Sequence, residues 1–317
     1  MVTGTIDSGA GWERPIPPFA DAVHRTSTAT GEPSTNTDAP QADRSFAAVP
    51  DAELTGHRGL FGPGTITWRI HSDPLIGLAT LRSLALRVLH PEGLSGVFAT
   101  ARRVDDPWDR LTWTLRHLGV TTFGSGAEVA VAGARMRAVL MQINGVTSTG
   151  AVYRGDDPDL LLWLHCCQVA SFVEVTRRGG LQLTDAEHET YIREQQRMAA
   201  VWGLEPDEVP GTRRELARYF RIARPKLRMT GPGRAFIGAI VAPGLPELMA
   251  LTQRNRPAWA PVAGLAFGSL PSWARRLYSS PPSTGPAALS PSATTVALHS
   301  LRDSLSGRSD QAGVALT

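Results

Sequence analysis

The chain has 317 residues, of which 42% are hydrophobic and 19% charged, and its formal net charge is +3. This composition is typical of a globular protein with a substantial core, and the scattered basic residues do not support nucleic-acid binding. The only cysteines, Cys166 and Cys167, are adjacent and cannot form an ordinary disulfide with each other, so we expect a cytoplasmic protein. The longest apolar run, residues 235–251, contains Pro243 and Pro246 and is too short and broken to be a transmembrane segment.

The composition divides the chain into three parts. Residues 1–53 lack hydrophobic periodicity, are rich in small polar residues and proline, and have no apolar signal segment. We expect them to form a disordered tail. Residues 279–317 are rich in Ser, Pro and Ala and are expected to be a second disordered tail, with one weak amphipathic stretch near 296–305. The folded domain is then predicted to span residues 54–278.

Helical periodicity and capping residues predict a series of helices in the folded part, and strand signals are few. Residues 68–74 have the pattern of a loop that ends with Asp73 as a helix cap and Pro74 as the first helical residue. The predicted helices cover residues 75–89, 94–103, 108–118, 127–143, 158–176, 184–202 with its cap, 211–223, 231–241 and 246–253. This order predicts an all-α fold in a single globular multi-helix domain.

The helix predicted over residues 158–176 carries a histidine on an apolar face. Asp157 can cap this helix, Pro158 suits its first turn, and the apolar run that follows places His165 in the interior. A lone histidine on such a face is commonly a hydrogen-bonded core residue. The alternative is an active-site acid, base or metal ligand, and the residues alone leave both interpretations open. Cys166 and Cys167 are most simply small buried hydrophobic residues.

An ordered series of short motifs runs along the folded part. The motifs are Asp73-Pro74, Leu89-His90-Pro91, Asp106-Pro107-Trp-Asp-Arg110-Leu-Thr-Trp-Thr114, Phe123-Gly124, Gly145-Val146, Asp157-Pro158-Asp-Leu-Leu-Leu-Trp163-Leu-His165 and Leu181-Gln-Leu-Thr-Asp-Ala-Glu187. In this order they resemble the MpaB-type oxygenase family, whose relatives include the latex-clearing rubber oxygenases. The likeness covers about residues 59–278.

The resemblance implies an all-α fold that encloses a b-type heme and an oxygen- or peroxide-dependent attack on an apolar substrate. In such enzymes an arginine and a threonine one helical turn apart lie beside the heme, and Arg110 and Thr114 have this spacing. In the rubber-oxygenase branch an axial histidine lies in a pattern resembling Arg-x-x-His-x-x-Val-x-Gly. The matching stretch here runs from Arg137 to Gly145, and the expected histidine is Leu140.

Leucine has no lone pair and cannot bind iron, so Leu140 leaves three explanations open. The alignment could be shifted towards Met141 or Gln142, another residue could be the ligand, or this branch could have lost heme. We predict His165 as the substitute ligand, with His90 as the next candidate and the two cysteine thiolates behind them.

Other residues near these motifs have a functional and a simpler interpretation. Arg110 could hold a heme propionate or stabilise an oxyanion, although an ion pair with Asp106 or Asp109 is simpler. His90 could act in the site or interact as a cation with a helix C-terminus. His117 could share a helix face with Thr114, but we expect it to be a solvated surface residue.

The sequence thus predicts a heme-dependent oxygenase or peroxygenase that oxidises a small or medium-sized apolar metabolite with molecular oxygen or peroxide. The predicted catalytic residues are Arg110, Thr114, His90 and His165, the predicted cofactor-binding residues are His165 and Arg110, and His165 is the predicted iron ligand of heme b. The alternative is a heme-free family member that uses the same cavity as a cyclase, an isomerase or a ligand-binding protein. A structural or regulatory helical protein is a third hypothesis.

Overall fold

The structure, a computed structural model, describes residues 59–91, 107–146, 150, 152–241, 256–278 and 290–314. These residues form eleven α-helices, two 3₁₀ turns and one two-stranded antiparallel sheet. The helices are α1 (Ile66–His71), α2 (Ile76–Arg87), α3 (Pro107–Phe123), α4 (Gly126–Gln142), α5 (Pro158–Arg178), α6 (Asp185–Val201), α7 (Arg213–Ala223), α8 (Gly231–Val241), α9 (Arg256–Gly268), α10 (Ser272–Tyr278) and α11 (Pro291–Val314), and the strands are β1 (Asn144–Val146) and β2 (Val152–Arg154). The predicted all-α fold class is confirmed.

The centre of the fold is an antiparallel pair formed by α2 and α5. Every residue of α2 is buried, as expected for a helix that other helices surround. Leu75, just before α2, lies against Gly179 at the end of α5. At the other end of the pair, Arg87 Nε donates to the carbonyl of Leu164 at 3.2 Å. Because the two helices run in opposite directions, side chains from both meet at each end of the pair.

The predicted start of α5 and the predicted capping box of α6 are confirmed. The Asp157 carboxylate accepts hydrogen bonds from the first backbone N–H groups of α5, and Pro158 is the first helical residue. The helix ends at Arg178, and the following Gly180 has a φ of +83°, which favours glycine. Thr184 and Glu187 each bond the backbone N–H of the other at the start of α6.

Helix α1 corrects the prediction of a loop over residues 68–74. Thr65 caps this six-residue helix, and the Glu194 carboxylate on α6 accepts hydrogen bonds from the backbone N–H groups of Ile66 and Thr67. Helices this short are not stable by themselves, so their formation depends on tertiary partners. The sequence pattern missed α1 because Glu194, which satisfies its first turn, is distant in the chain.

The boundaries of α3 and α4 differ from the predicted ones. Helix α3 begins at the predicted Pro107 but continues past Leu118 to Phe123. Thr121, which lies in the predicted break, donates its hydroxyl to the carbonyl of His117 at 2.8 Å and remains helical. Helix α4 starts after Ser125, which forms a capping box with Glu128 that the sequence analysis did not identify. The β1–β2 hairpin was also not predicted.

The predicted C-terminal tail contains α11, whose first turns pack on the core. Leu298 is fully buried, and Arg302 Nε donates to Asp73 Oδ2 at 2.9 Å. The prediction of a disordered tail over residues 279–317 is therefore wrong for the first turns of α11. The other carboxylate oxygen of Asp73 accepts from the backbone N–H of Leu75, and α2 begins only at Ile76, so the prediction that Pro74 is the first helical residue is wrong.

Of the remaining predicted elements, some lie in the described residues and others lie outside them. The predicted helix over residues 231–241 is confirmed, and that over 211–223 begins at Arg213 after a Thr212 cap. The predicted N-terminal tail and the predicted helices over residues 94–103 and 246–253 lie outside the described residues. Among the described helices, none combines the length and the apolar character that crossing a bilayer requires.

Candidate active site

A small cavity lies at one end of the α2–α5 pair, where α3, α4 and α6 close around it. Its volume is about 40 Å³, enough for a few water molecules or one dioxygen molecule and far below that of an organic substrate. Most of its wall is apolar or aromatic. The lining residues are Arg87, Trp113, Thr114, His117, Leu118, Thr121, Met136, Leu140, Leu161, Leu164, Gln168, Met198 and Trp202.

His117 lies on the wall of this cavity, so the prediction that it is a solvated surface residue is wrong. Its ring stacks on Trp113 with centroids 5.6 Å apart. Trp202 Nε1 donates to His117 Nε2 at 3.3 Å, which requires that Nε2 carries no proton and places the proton of the neutral ring on Nδ1. Burial, together with the charge of Arg87, lowers the pKa of His117 to about 4. The imidazole is therefore neutral at physiological pH.

Arg87 is the cation among the described residues that line the cavity, and it was not predicted from the sequence. Its Nη2 donates to Gln168 Oε1 at 2.9 Å, and its Cζ lies 5.9 Å from the centre of the Trp202 ring. Arg87 is the last residue of α2, a position at which a basic residue is usually explained by the helix dipole. Arg87 reaches the cavity because α5 runs antiparallel to α2, an arrangement that the local sequence pattern does not show.

Thr114 is buried in the cavity wall, as its predicted role in the site requires. Arg110 lies one turn earlier on α3, so the predicted spacing of the two residues on one helix is present. The side chain of Arg110 lies outside the part of the structure that is described. The placement of Arg110 beside the cavity therefore remains a prediction.

Leu140 also lies in the cavity wall, on α4 and opposite α5. The next residue, Met141, is 54% exposed, and Gln142 is exposed as well. A register shift by one or two residues would therefore bring no donor into the cavity. The position at which the family resemblance implies an axial histidine is a hydrocarbon surface in this chain.

His165 lies on α5 behind the cavity wall and is not one of the lining residues. The side chain is 1% exposed, and its Nδ1 atom is buried without a hydrogen-bond partner in the described structure. Its ring meets the Trp202 ring edge to face at 6.0 Å. Burial and the nearby charge of Arg87 lower the pKa of His165 to about 3, so its imidazole is neutral at physiological pH.

The other predicted donors are placed less favourably. His90 is half-buried, with its ring 5.9 Å from that of Trp163, and it does not line the cavity. Cys166 and Cys167 are free and buried, and burial raises the pKa of both thiols. They are thus protonated and poor ligands. Among the described residues, no group of three or more His, Cys, Asp or Glu side chains could hold a metal ion.

One residue, His165, has the chemistry of a heme ligand, but the cavity is too small to hold a heme. A heme ligand must be a neutral imidazole or a similar donor, and the neutral ring of His165, with its unpartnered Nδ1, meets this condition. Cofactor pockets enclose roughly 300–1,000 Å³, whereas the cavity measures about 40 Å³. A heme at this position would therefore require α3, α4 and α5 to lie further apart than they do.

Comparison with known protein families places the cavity within a recognised catalytic domain. Residues 68–300 match the family described as ER-bound oxygenase mpaB/B'/Rubber oxygenase, catalytic domain. The chain belongs to this family. Searches of the curated proteins and of the solved structures found no significant match. The resemblance inferred from the motifs is thus confirmed, and the chain is an oxidoreductase of the oxygenase type.

The mpaB/rubber oxygenase match includes every residue that lines the cavity, from Arg87 to Trp202. It also extends beyond residue 278, where the sequence analysis had ended the domain, and includes the first turns of α11. The contact between Arg302 and Asp73 agrees with this longer extent, because it joins the start of the core to the C-terminal helix.

Proposed function

We propose that this mpaB/rubber oxygenase family member oxygenates a small or medium-sized apolar molecule beside the cavity, with molecular oxygen or peroxide as oxidant. The observation that carries the proposal is an oxidant-sized space whose mainly apolar wall contains one guanidinium (Arg87), one neutral imidazole (His117) and two buried hydroxyls (Thr114 and Thr121) among the described residues. The volume suits dioxygen, and the substrate is expected to approach from outside it.

The polar residues of the cavity have separate proposed roles. Arg87 would stabilise negative charge that develops on oxygen, because a guanidinium in an apolar wall interacts strongly with such charge. Thr114 would position the oxidant through its hydroxyl group. His117 is held in one tautomer by Trp202 and would keep its proton on Nδ1. The surrounding leucine, methionine and tryptophan side chains would exclude bulk water.

Heme b is the proposed cofactor, with His165 as the ligand and His90 as the second candidate, and its binding would require α3, α4 and α5 to move apart. The unpartnered buried Nδ1 of His165 supports this choice, since a buried polar atom normally has a partner. Arg110 is proposed to hold a propionate. When bound, heme would supply the activation of oxygen or peroxide. The heme-free cyclase, isomerase or binding-protein alternative is not favoured, because the family is one of oxygenases.

The proposed location is the cytoplasm. The support is the pair of buried, reduced cysteines at positions 166 and 167.

The heme proposal is tested by the Soret absorption of protein produced with ample heme supply or titrated with hemin. We expect a Soret band in the wild type, its loss in His165→Ala, and its retention in His299→Ala, which changes an exposed histidine on α11. The absence of a band from the wild type would remove heme from the proposal. A band retained in both His165→Ala and His90→Ala would eliminate both proposed ligands.

Oxygenation itself is tested separately, by oxygen uptake and by incorporation of ¹⁸O from labelled dioxygen or peroxide across a panel of small apolar compounds. Label in a product would support the proposed reaction whatever the cofactor proves to be. Turnover of a compound to an isomer without incorporation of label would contradict it.

A further inference from the structure

A second, larger pocket lies beside the α2–α5 pair and is lined by different residues from those of the oxidant-sized cavity. Its volume is about 550 Å³, within the range of small-molecule sites. We call it the arginine pocket and define it by Arg82, Arg177, Arg178, Arg224, Phe220 and Trp273. It opens between the C-terminal half of α5, α7, the 3₁₀ turn Arg224–Lys226, α10 and the start of α11.

The charge of the arginine pocket is strongly unbalanced. Four arginines and one acidic residue, Glu174, line it. Glu174 is already shared, because its two carboxylate oxygens lie 3.1 Å from Arg177 Nη2 and 3.7 Å from Arg178 Nη1. Arg82 and Arg224 have no ion-pair partner among the described residues. The pocket thus presents two cations without an ion pair in the described part of the chain, and Arg82 is attracted only at longer range by Glu174, which Arg177 and Arg178 already share.

Arg82 is the more unusual of these two cations because it is buried at the base of the pocket. The residue is 4% exposed; its Nε donates to the Ser269 carbonyl at 3.1 Å and its Nη1 to Ser171 Oγ at 2.8 Å. These neutral partners fix the guanidinium, but they do not balance its charge. A buried cation without an anion is costly, and an anionic ligand would offset that cost.

Aromatic groups give the pocket a surface for a flat ligand. The guanidinium of Arg224 lies 5.2 Å from the centre of the Trp273 ring, and the Trp273 and Phe220 rings are 6.2 Å apart. The chain between α10 and α11, residues 279–289, contains no acidic residue, so this segment has no carboxylate to offer the arginines.

We propose that the arginine pocket is a second ligand site, for an aromatic molecule that carries a carboxylate or a phosphate monoester. The anionic group binds Arg82 and Arg224, and the ring packs against Trp273 and Phe220. Guanidinium groups suit both anions because they donate two parallel hydrogen bonds. The site shares no lining residue with the oxidant-sized cavity, so its ligand is additional to the oxygenase substrate proposed above.

Isothermal titration of the full chain at low salt tests the proposal with four probes: phenyl phosphate, benzoate, phenol and inorganic phosphate. We expect the aromatic anions to bind at least about tenfold more tightly than phenol or inorganic phosphate, which lack the charge and the ring respectively. The tighter of the two aromatic anions identifies the preferred anionic group. Equal binding of phenol, or no binding of either aromatic anion at millimolar concentration, would overturn the proposal.

Three variants locate the binding. Arg82→Gln removes the buried cation, and Arg224→Gln changes an exposed residue and so leaves the core intact. We expect Arg224→Gln to weaken binding of the aromatic anion about tenfold. Arg221→Gln, an exposed change on α7 outside the pocket, is the matched control and is expected to bind like the wild type. Equal affinities of the Arg224 and Arg221 variants would contradict the assignment, even if Arg82→Gln fails to fold.

Discussion

His71 and His165 are equally buried but have different surroundings. Each is 1% exposed, and burial is the main cause that lowers the pKa of each to about 3. His71 Nδ1 lies 2.7 Å from Thr122 Oγ1, and its Nε2 lies 3.1 Å from the Tyr191 hydroxyl. His165 has an unpartnered Nδ1 beside Trp202. Hydrogen-bond partners, and not burial or pKa, distinguish the structural imidazole from the candidate functional one.

The difference has an energetic meaning. Both ring nitrogens of His71 have partners, so the residue joins α1 to α3 and α6 at little electrostatic cost. The buried unpartnered nitrogen of His165 costs about 1–3 kcal/mol of stability. Ser83 Oγ, His188 Nε2 and Gln195 Oε1 are also buried without a partner in the described structure, so it is the position of His165 beside Trp202 of the cavity wall that makes it the candidate. Changes in the His71 region should therefore affect mainly stability, and changes at the cavity and His165 mainly activity.

The largest effect, a loss of oxygen uptake, is expected from Arg87→Gln in the cavity wall. Removal of the guanidinium takes away the only cation among the described lining residues, so oxygen uptake with an apolar substrate should fall by about 100-fold. Arg116→Gln, an exposed change on the same α3 helix that carries Thr114, is the control and should retain wild-type uptake. Equal rates for the two variants would remove Arg87 from the proposed site.

The next effect is a loss of stability in His71→Leu. Thr122 and Tyr191 are fully buried, and both would lose their partner, so urea denaturation should show a loss of about 3 kcal/mol.

The control for this prediction also removes the Thr122 and Tyr191 hydroxyls, which His71→Leu leaves without a partner. Adding Thr122→Val and Tyr191→Phe to His71→Leu leaves no unpaired hydroxyl, so the triple variant should recover part of the lost stability. A loss below about 1 kcal/mol in His71→Leu would contradict the structural role of His71.

A smaller effect, a gain in hemin affinity, is expected from Leu140→His, which places an imidazole on the cavity wall. If the wall at this position borders the cofactor, hemin should bind at least about tenfold more tightly, as measured by Soret titration. The matched control is Met141→His, because Met141 is the next residue on α4 and is 54% exposed. Equal hemin affinities of the two variants would place the cofactor elsewhere.

A further effect concerns the pH dependence of stability, to which His71 and His165 should contribute alike. The pKa of each is near 3 in the folded protein and 6.5 in the unfolded chain, so below pH 6.5 the unfolded state binds more protons. Stability should therefore fall as the pH falls from 6.5 towards 4, by up to about 1.4 kcal/mol per pH unit for each histidine.

Denaturation between pH 4 and pH 7 measures this dependence. His71→Leu and His165→Leu should each reduce the slope by a similar amount, since burial is the largest cause of both pKa shifts. An unchanged slope in either variant would mean that its imidazole is accessible to protons in the folded state.

Local signals predicted much of the fold. The Asp157-Pro158 start of α5 and the Thr184 capping box of α6 depend on residues within one helical turn, and both were identified from the sequence. The placement of Thr114 and Leu140 in the cavity wall also agrees with the motif spacing. By contrast, α1 and α11 depend on partners far along the chain, Glu194 and Asp73, which local patterns do not reveal.

The candidate site was less predictable than the fold. Arg87 and Trp202 reach the cavity only because α2 and α5 are antiparallel and α6 ends beside them. His117 was assigned to the surface because three-residue spacing alone does not show which helix face is buried. His71, a satisfied core histidine, was not considered at all, since its partners Thr122 and Tyr191 lie on two other helices.

The most direct test of the account is oxygen uptake by His165→Leu, with the unfolding free energy measured on the same sample. The account predicts uptake at least about 100-fold below that of the wild type, together with a stability that is unchanged or higher, because an unpaired buried nitrogen is removed. Wild-type uptake in a folded His165→Leu would contradict it and would make His165 a core residue like His71.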